Sequence, residues 1–560
     1  MKQKTEAYNL LEEDWIPVLW SNGTFSRVGI RTALTKAGQI RQIAASNPMD
    51  NVALLRLLLA VLQWCKQSLS DEDRKEFGRQ DGIPEAWLRR KLGTEKKPNP
   101  AFNLLGDPGH YQMLPSNTKT KPGPNVLLHE APSGTNKAHF RHVRDSHAPM
   151  CLACCALGLT RLPAFTASEG REKFPGINQV PPIYFAPRSD TLLQVLLFQW
   201  PMSNPSHDRP VWDTGLEVIT AEHHVGILEG FTFIPRKVRL GRPSAEDRCI
   251  LCGRVDSVVT DIAFKKPSKE QVEIIKRRVL SKKWRDPDVA YLKEPQKSSS
   301  RDSVDTGSAK ARDCLNDPWN SAGEWRQLWL QMLPSSTDAY IGAPSWLLKA
   351  HNEVGPHETV EVRAVGFATD RKANYFDVWE VTLELCAGIA QDSQGSAIVR
   401  QEADWLEDLI FKTIDAKTRE WKKPVKKLRD AVFLSRTSER NRKQHDLRSA
   451  LCQVRQQSET VLHSAFRDFI YVINSSASTE WENARKAWRR RVEGAVRHAL
   501  RSAVTLTMHG SSLRRQEAIQ KVDEAFRAAV RQLEEEEARA AKPKSEQPKG
   551  GGNESRSKVH

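Results

Sequence analysis

The residues whose types and spacing carry the clearest chemistry are cysteines. Cys151-Leu-Ala-Cys154 and Cys249-Ile-Leu-Cys252 form two CxxC pairs. Two residues between thiolates let both sulfurs reach one tetrahedral ion, at about 2.3 Å. Two such pairs fill a tetrahedron and leave no open position, so the chemistry is structural rather than catalytic. The expected cofactor is a structural Zn2+ held by Cys151, Cys154, Cys249 and Cys252. The gap between the pairs is much longer than in a compact zinc ribbon, so the ion would clamp two distant segments together. In a reducing cytosol such pairs are more often metal sites than disulfides. The competing reading is a set of buried or free thiols unrelated to metal. Cys155 is a spare thiol beside the first pair, and Cys65, Cys314, Cys386 and Cys452 are scattered.

Other reactive spacings are missing. The chain has no HExxH, no GxxxxGK[ST] and no GxSxG. Two His-Asp dipeptides, His207-Asp208 and His445-Asp446, occur about as often as composition alone would produce, so a metal nuclease of that type is not supported. His139, His142 and His147 crowd the first CxxC, but four cysteines already saturate a zinc, which leaves these histidines as parts of a polar binding loop. The expectation is a protein that is not an enzyme.

Basic residues supply the second kind of chemistry. Ala138-His-Phe-Arg-His-Val-Arg-Asp145 interleaves cations, histidines and an aromatic ring. Such a mixture suits phosphate contact and base stacking or wedging. Lys265 and Lys266 follow the second CxxC, so a zinc clamp would bring them towards the same region. From Arg485 to Arg501 seven basic residues face one acidic residue, and Lys486, Arg490, Arg497 and Arg501 share a helical face. Lys417 to Arg429 is a further basic block. A solvated helix face is the plain alternative for each, and basic helices also meet acidic proteins.

These residues must be positioned by a scaffold that the patterning outlines. Trp15 to Val18, a turn at Asn22-Gly23 and Thr24 to Val28 read as a hairpin. Asn47-Pro48 opens a helix whose Leu54, Leu55, Leu58, Leu59 and Leu62 form a core stripe. Lys96 to Gln179 is rich in Pro, Gly, Asn and His and reads as loops and short elements. Thr191 to Trp200 is a second buried helix, and Phe231 to Leu240 is strand-like. Residues 294–312 form a polar insertion expected to be exposed and mobile. Val360 to Glu380 reads as a hairpin turning at Thr369 to Asn374. Beyond about residue 381 long helical patterns dominate, with Trp405, Leu409 and Ile410 on one face. Ala484, Trp488, Val492, Ala495, Ala499 and Ala503 share another, as in an antiparallel bundle.

The expected architecture is α+β: a mixed domain over 1–380, a helix bundle over 381–540 and a disordered tail over 541–560. The 560 residues carry 85 Lys plus Arg against 69 Asp plus Glu, for a net charge of +16. The hydrophobic fraction of 39% excludes wholesale disorder, and the positive balance points to a polyanionic partner. The longest apolar run, Val52 to Trp64, is broken by Arg56 and Gln63, and the N-terminus lacks an apolar signal core. A soluble, cytoplasmic protein without a membrane partner is expected.

In order along the chain, several stretches resemble CasA, the large subunit of type I-E CRISPR Cascade. They are Tyr8-Asn-Leu-Leu with Trp15-Ile-Pro-Val18, Gly134 to His142 before the first CxxC, Pro175 to Phe185 with Arg188, and the second CxxC. The resemblance runs over roughly residues 8–535. It implies a large α+β domain joined to a four-helix bundle. It also implies a binding protein that reads the protospacer-adjacent motif (PAM) of double-stranded DNA from the minor groove. Strand separation, R-loop formation and recruitment of a helicase–nuclease would follow, while a guide RNA held by backbone and small subunits reads the sequence. Carried over residue by residue, the loop with Asn136, Phe140, Arg141 and His142 resembles the element contacting the guide RNA end and the motif. The stretch around Gly170 and Gly176 resembles a glycine loop facing the minor groove. Lys265 or Lys266 resembles a lysine reaching that groove. The turn Thr369 to Ala373 resembles a wedge, here tipped by Arg371 and Lys372. A stand-alone metal-dependent nuclease and a zinc-containing RNA-binding scaffold are the alternatives.

Overall fold

In the computed structural model the described residues are 8–77, 80–115, 117–128, 149–165, 177–178, 182–200, 208–214, 225–234, 236–244, 246–265, 285–293, 358–369, 375–413, 461–507 and 512–540, with short pieces between 270 and 355. The chain divides into two compact units, Met1–Ser393 and Gln394–His560.

The first unit is mixed α and β. Strands β1 (Ile16–Trp20), β2 (Phe25–Val28) and β3 (Ile40–Ile43) form an antiparallel sheet in the order β2-β1-β3. The hairpin between the first two turns at Gly23, whose φ of 85° a residue with a Cβ rarely adopts. Helix α1 (Pro48–Cys65) starts where Asn47 accepts a hydrogen bond from Met49 N, with Pro48 in the first turn. It is apolar on nearly every face because it is the core helix, surrounded by the sheet, by other helices and by a second cluster of Ala164, Phe165, Tyr184, Val289 and Val365. Among the described residues it is the one helix long and apolar enough to cross a membrane by length and composition, and it is 83% buried in protein.

Two short sheets carry the cysteines and the lysine. Strand β4 (Met150–Cys151) pairs with β8 (Val255–Val259), which also pairs with β7 (Glu246–Arg248). Strand β9 (Asp261–Lys265) follows at once and lies between β6 (Lys237–Leu240) and the two-residue strand Lys121–Pro122. The expected strand Phe231 to Leu240 is therefore only half a strand. Phe231 belongs to a helical turn, Ile227–Thr232, because both carboxylate oxygens of Asp208 cap it, accepting from Leu228 N at 2.7 Å and Glu229 N at 3.0 Å. Likewise the loop-rich stretch 96–179 contains a helix, α2 (Leu152–Arg161), buried along its whole length.

A long hairpin completes the unit. Strand β10 (Thr359–Thr369) pairs with β11 (Tyr375–Cys386) in antiparallel register from Thr359↔Cys386 to Thr369↔Tyr375. Strand β5 (Tyr184–Pro187) flanks β10 only from Val362 to Val365. Beyond Val365 the hairpin is two-stranded. Strand β11 runs on to Cys386, and a short helix, Ala387–Gln391, follows it before the division between the units after Ser393. At the polar insertion, Ala309–Ala311 pairs with Tyr291–Lys293, while residues 294–308 lie outside the described set.

The second unit is helical among its described residues: α3 (Ser393–Thr413), α4 (461–475), α5 (Trp481–Thr507) and α6 (Ser512–Ala540). On α5, Trp488, Val492, Val496, Ala499 and Ala503 are buried at helical spacing. Trp488 stacks on Phe469 of α4 at 5.6 Å and 20°. Glu402 of α3 is fully buried and is held by Arg485 and Arg489 of α5; Arg489 also reaches Glu537 of α6 at 2.7 Å.

Candidate metal centre and nucleic-acid interface

The two cysteine pairs meet because of strand pairing. Val258↔Cys151 and Val259↔Met150 bring the second pair against the first across about a hundred residues of chain. Cys151 ends β4 and occupies the N-cap position of α2, which places Cys154 one turn into that helix. Cys249 and Cys252 flank the turn between β7 and β8. There Cys249 N donates to Arg254 O, Gly253 N to Cys249 O and Ile250 N to Pro149 O, at 2.8 to 2.9 Å. Gly253 takes φ 71°, which is what lets this turn close.

The four Sγ atoms lie within 4.8 Å of one another, and all but Cys252 are buried. Cys151 and Cys252 sulfurs are 3.7 Å apart. A regular tetrahedron with metal–sulfur bonds near 2.3 Å has edges of about 3.8 Å, so the donor set fits one ion. None of the four is in a disulfide. Without metal, Cys249 is drawn well below the usual thiol range by hydrogen bonds from Cys151 and Cys154. The Cys154 thiol is pushed far up by donating to Cys151 and Cys249 and by burial. A metal bound here would require all four thiols to be deprotonated and would release their protons. Cys155 is buried and directs its thiol to Met150 O at 3.7 Å, apart from the four.

The centre sits on a rigid mount. Arg161, at the end of α2, makes a two-pronged bond to Asp50 in the first turn of α1, at 2.8 and 2.9 Å, with both groups buried. A Cβ on Gly158 would lie 2.8 Å from the Leu127 Cβ, so this glycine lets α2 press against the turn ending at Leu127. Helix α2 and the cysteine turn thus fix both ends of segment 129–148. Asn136, Phe140, Arg141 and His142 fall inside that segment and outside the described residues, as do Gly170, Gly176, Lys266, Arg371 and Lys372.

Lys265 is described: it ends β9, is exposed, and stands opposite Lys237 of β6. Like charges directly opposite on a ladder repel, so the two lysines gather positive charge at this end of the sheet. The register sets Lys237 opposite Lys265, a pairing that sequence spacing does not show. On α5, Arg490 is exposed, whereas Arg497 and Arg501 are both bound by Asp523 of α6. Those two arginines would have to exchange a carboxylate before meeting a phosphate. Their hydrogen bonds, that of Arg501 foremost, hold Asp523 below the usual carboxylate range.

A second buried network escaped sequence reasoning. Arg56 bonds Asp286 and Asp288 at 2.8 Å each, and Asn178 and Gln199 donate to these carboxylates at 2.9 and 3.0 Å. The arginine interrupting the apolar run Val52 to Trp64 was the available signal. This node joins α1 to residues 177–178, to 285–289 and, through Tyr184↔Val365, to the base of the long hairpin.

Residues 9–499 match the family described as CRISPR-associated protein Cse1. The chain belongs to the Cse1 family. A curated relative, CRISPR-associated protein CasA/Cse1 of Thermus thermophilus, is 29% identical over 219 residues, which is 37% of this chain and 42% of that relative. The crystal structure of Thermobifida fusca Cse1 superposes with a TM-score of 0.67 at 17% identity, covering 95% of this chain and 99% of that one. A chain of a CRISPR RNA-guided surveillance complex superposes with a TM-score of 0.60 at 12% identity, covering 93% and 99%. These likenesses establish a shared fold along nearly the whole Cse1-family chain, with the expected mixed unit and helical C-terminal region.

Proposed function

We propose that this chain is the large subunit of a type I-E CRISPR RNA-guided surveillance complex. In this reading it recognises the PAM in double-stranded DNA from the minor groove, promotes strand separation and R-loop formation, and helps recruit a helicase–nuclease in antiviral defence. The observation that carries the reading is the Cse1 family match across residues 9–499. Fold likeness to a chain of a surveillance complex supports it.

The proposed division of labour rests on the resemblance to CasA, carried over onto this chain's own residues. Segment 129–148, anchored at both ends by α2 and the cysteine turn, presents Asn136, Phe140, Arg141 and His142 to the guide end and the duplex. Lys265, with Lys237 beside it and Lys266 after it, supplies charge to the groove. In this reading Arg371 and Lys372, which follow β10 in the sequence, act where the strands part. Minor-groove reading distinguishes A·T from G·C but little else, so several motif sequences would be tolerated. The second unit is proposed as a four-helix bundle that meets a small subunit and, through Arg490, the displaced or target strand.

The role is binding rather than catalysis. A structural Zn2+ on Cys151, Cys154, Cys249 and Cys252 would have no open coordination position, so it holds the segment ends and activates nothing. The test is reconstitution of a guide-loaded complex lacking its large subunit, followed by addition of this chain. The chain is expected to join the complex and to make duplex binding PAM-dependent. Failure to join, or equal binding of duplexes with and without the motif, refutes the proposal.

A further inference from the structure

Tyr184 of β5 is buried, and its hydroxyl meets two distant parts of the chain. It donates to Ala164 O at 2.9 Å and accepts from Asn178 Nδ2 at 3.3 Å. Ala164 and Asn178 stand on either side of segment 166–176, so one oxygen atom ties together the two ends of that segment. The hydroxyl is itself held in place. Asn178 Nδ2 also donates to Asp286 at 2.9 Å, and Asp286 bonds Arg56 of α1, whose guanidinium lies 4.8 Å from the centre of the Tyr184 ring. The ring meets Phe165 edge-on at 4.9 Å. The Tyr184 backbone pairs with Val365 of β10 and bridges to Val289. A buried hydroxyl that both donates and accepts sets the direction of its partners as well as their distance.

We infer that Tyr184 is a positioning residue for duplex recognition: its hydroxyl clasps the two ends of segment 166–176, and its backbone registers that clasp against the long hairpin. This deepens the function proposed above and rests on it, because that reading sets Gly170 and Gly176 at the minor groove. Tyr184 is buried, so it acts through the residues it holds. Bringing the ends of a segment together costs conformational entropy, and holding them together in advance removes that cost from binding. Duplex binding draws on this preorganisation, whereas single-stranded target offers no duplex groove and does not. Phenylalanine at this position keeps the ring against Phe165 and Arg56 and loses only the oxygen. The bond from Asn178 to Asp286 and the Arg56–Asp286 pair do not use that oxygen.

The test adds the full chain to a guide-loaded complex lacking its large subunit, as wild type, Tyr184→Phe and, as control, Asn99→Ala. The control removes two side-chain hydrogen bonds of the same unit, to Lys91 O and from Ala101 N. Dissociation constants are measured for PAM-bearing duplex and for single-stranded target, and amide hydrogen exchange is followed in the free chain. Tyr184→Phe is expected to weaken duplex binding about 3–10-fold, the worth of one to two hydrogen bonds. Single-stranded binding stays unchanged, and exchange quickens in peptides spanning 158–165. Asn99→Ala should leave the ratio of the two affinities at the wild-type value. Duplex binding by Tyr184→Phe equal to wild type overturns the inference. So does an equal loss on both substrates, which would mark general destabilisation, or a shifted ratio in Asn99→Ala. A wild-type complex that binds duplexes with and without the motif equally overturns the function proposed above. The clasp is then judged by exchange in the free chain, where an unchanged rate in Tyr184→Phe overturns it. Should Tyr184→Phe not fold, Asn178→Ser decides, since it removes the donor to the hydroxyl: an unchanged affinity ratio overturns the role.

Discussion

Replacing Arg56 by methionine would remove the cation from a node that water does not reach. Arg56, Asp286 and Asp288 are 2%, 1% and 2% exposed. The Arg56 Nη1 atom bonds both carboxylates at 2.8 Å, and Nη2 reaches Asp286 at 2.9 Å. Methionine fills much of the same volume, so the cavity contribution is small. What remains is a pair of carboxylates supported by the amides of Asn178 and Gln199. Removing one partner of a buried ion pair costs about 3–5 kcal/mol, and two stranded carboxylates place this case at the upper end. Burial pushes Asp288 up to about 7 despite the pull of Arg56. A folded-state value above the unfolded value near 4 means that the folded protein holds an extra proton between about pH 4 and 7. Stability from this group is therefore complete at low pH and lost as pH rises through 7, by at most about 1.4 kcal/mol per pH unit. Without Arg56 the Asp288 carboxyl rises further, so the variant should be most impaired at pH 8.5 and least at pH 5.5. The assay is urea unfolding of the full chain, followed by tryptophan fluorescence at pH 5.5, 7 and 8.5, with Asp288→Asn as the background that removes the titration. An Arg56→Met midpoint equal to wild type at pH 8.5, or a loss that does not shrink at pH 5.5, refutes the reasoning.

Metal analysis of the purified chain should find one zinc per molecule, lost in a Cys151→Ser, Cys249→Ser double variant; undiminished zinc in that variant would remove the centre. Lys265→Ala with Lys266→Ala should weaken binding of PAM-bearing duplex more than binding of single-stranded target. Adding Lys237→Ala should flatten the salt dependence of log K by about one further unit if Lys237 meets a phosphate, and an unchanged slope would leave it a bystander. Asp208→Ala should destabilise the first unit by about 0.5–2 kcal/mol, since it uncaps the helical turn Ile227–Thr232; a change within measurement error in urea unfolding would mean that Leu228 N and Glu229 N find water instead.

What could be read in advance was what local chemistry decides. Asn47-Pro48 before a leucine stripe and Asn22-Gly23 between short apolar runs each define an element within a few residues, and both are present; the strands on either side of residues 370–374 pair as the alternation predicts. Helix α2 was hidden because its ten residues, Leu152 to Arg161, are short and lie in a stretch otherwise rich in Pro, Gly, Asn and His. Phe231 to Ile234 has the composition of a strand, yet a carboxylate about twenty residues upstream caps it into a helical turn. The site divides along the same line. Each CxxC is a local signal, so a group of four cysteines that could hold one ion was legible, although the strand pairing that joins the two pairs was not. Lys237 and the Asp286–Asp288 pair carry no local mark. Their roles arise from partners brought near by sheet register and helix packing, as Lys265↔Lys237 shows. In this fold the chemistry that defines a site is short-range in sequence, while the residues that tune and support it are selected by tertiary contacts. Variants of Arg56 and Lys237 therefore probe what spacing cannot reveal.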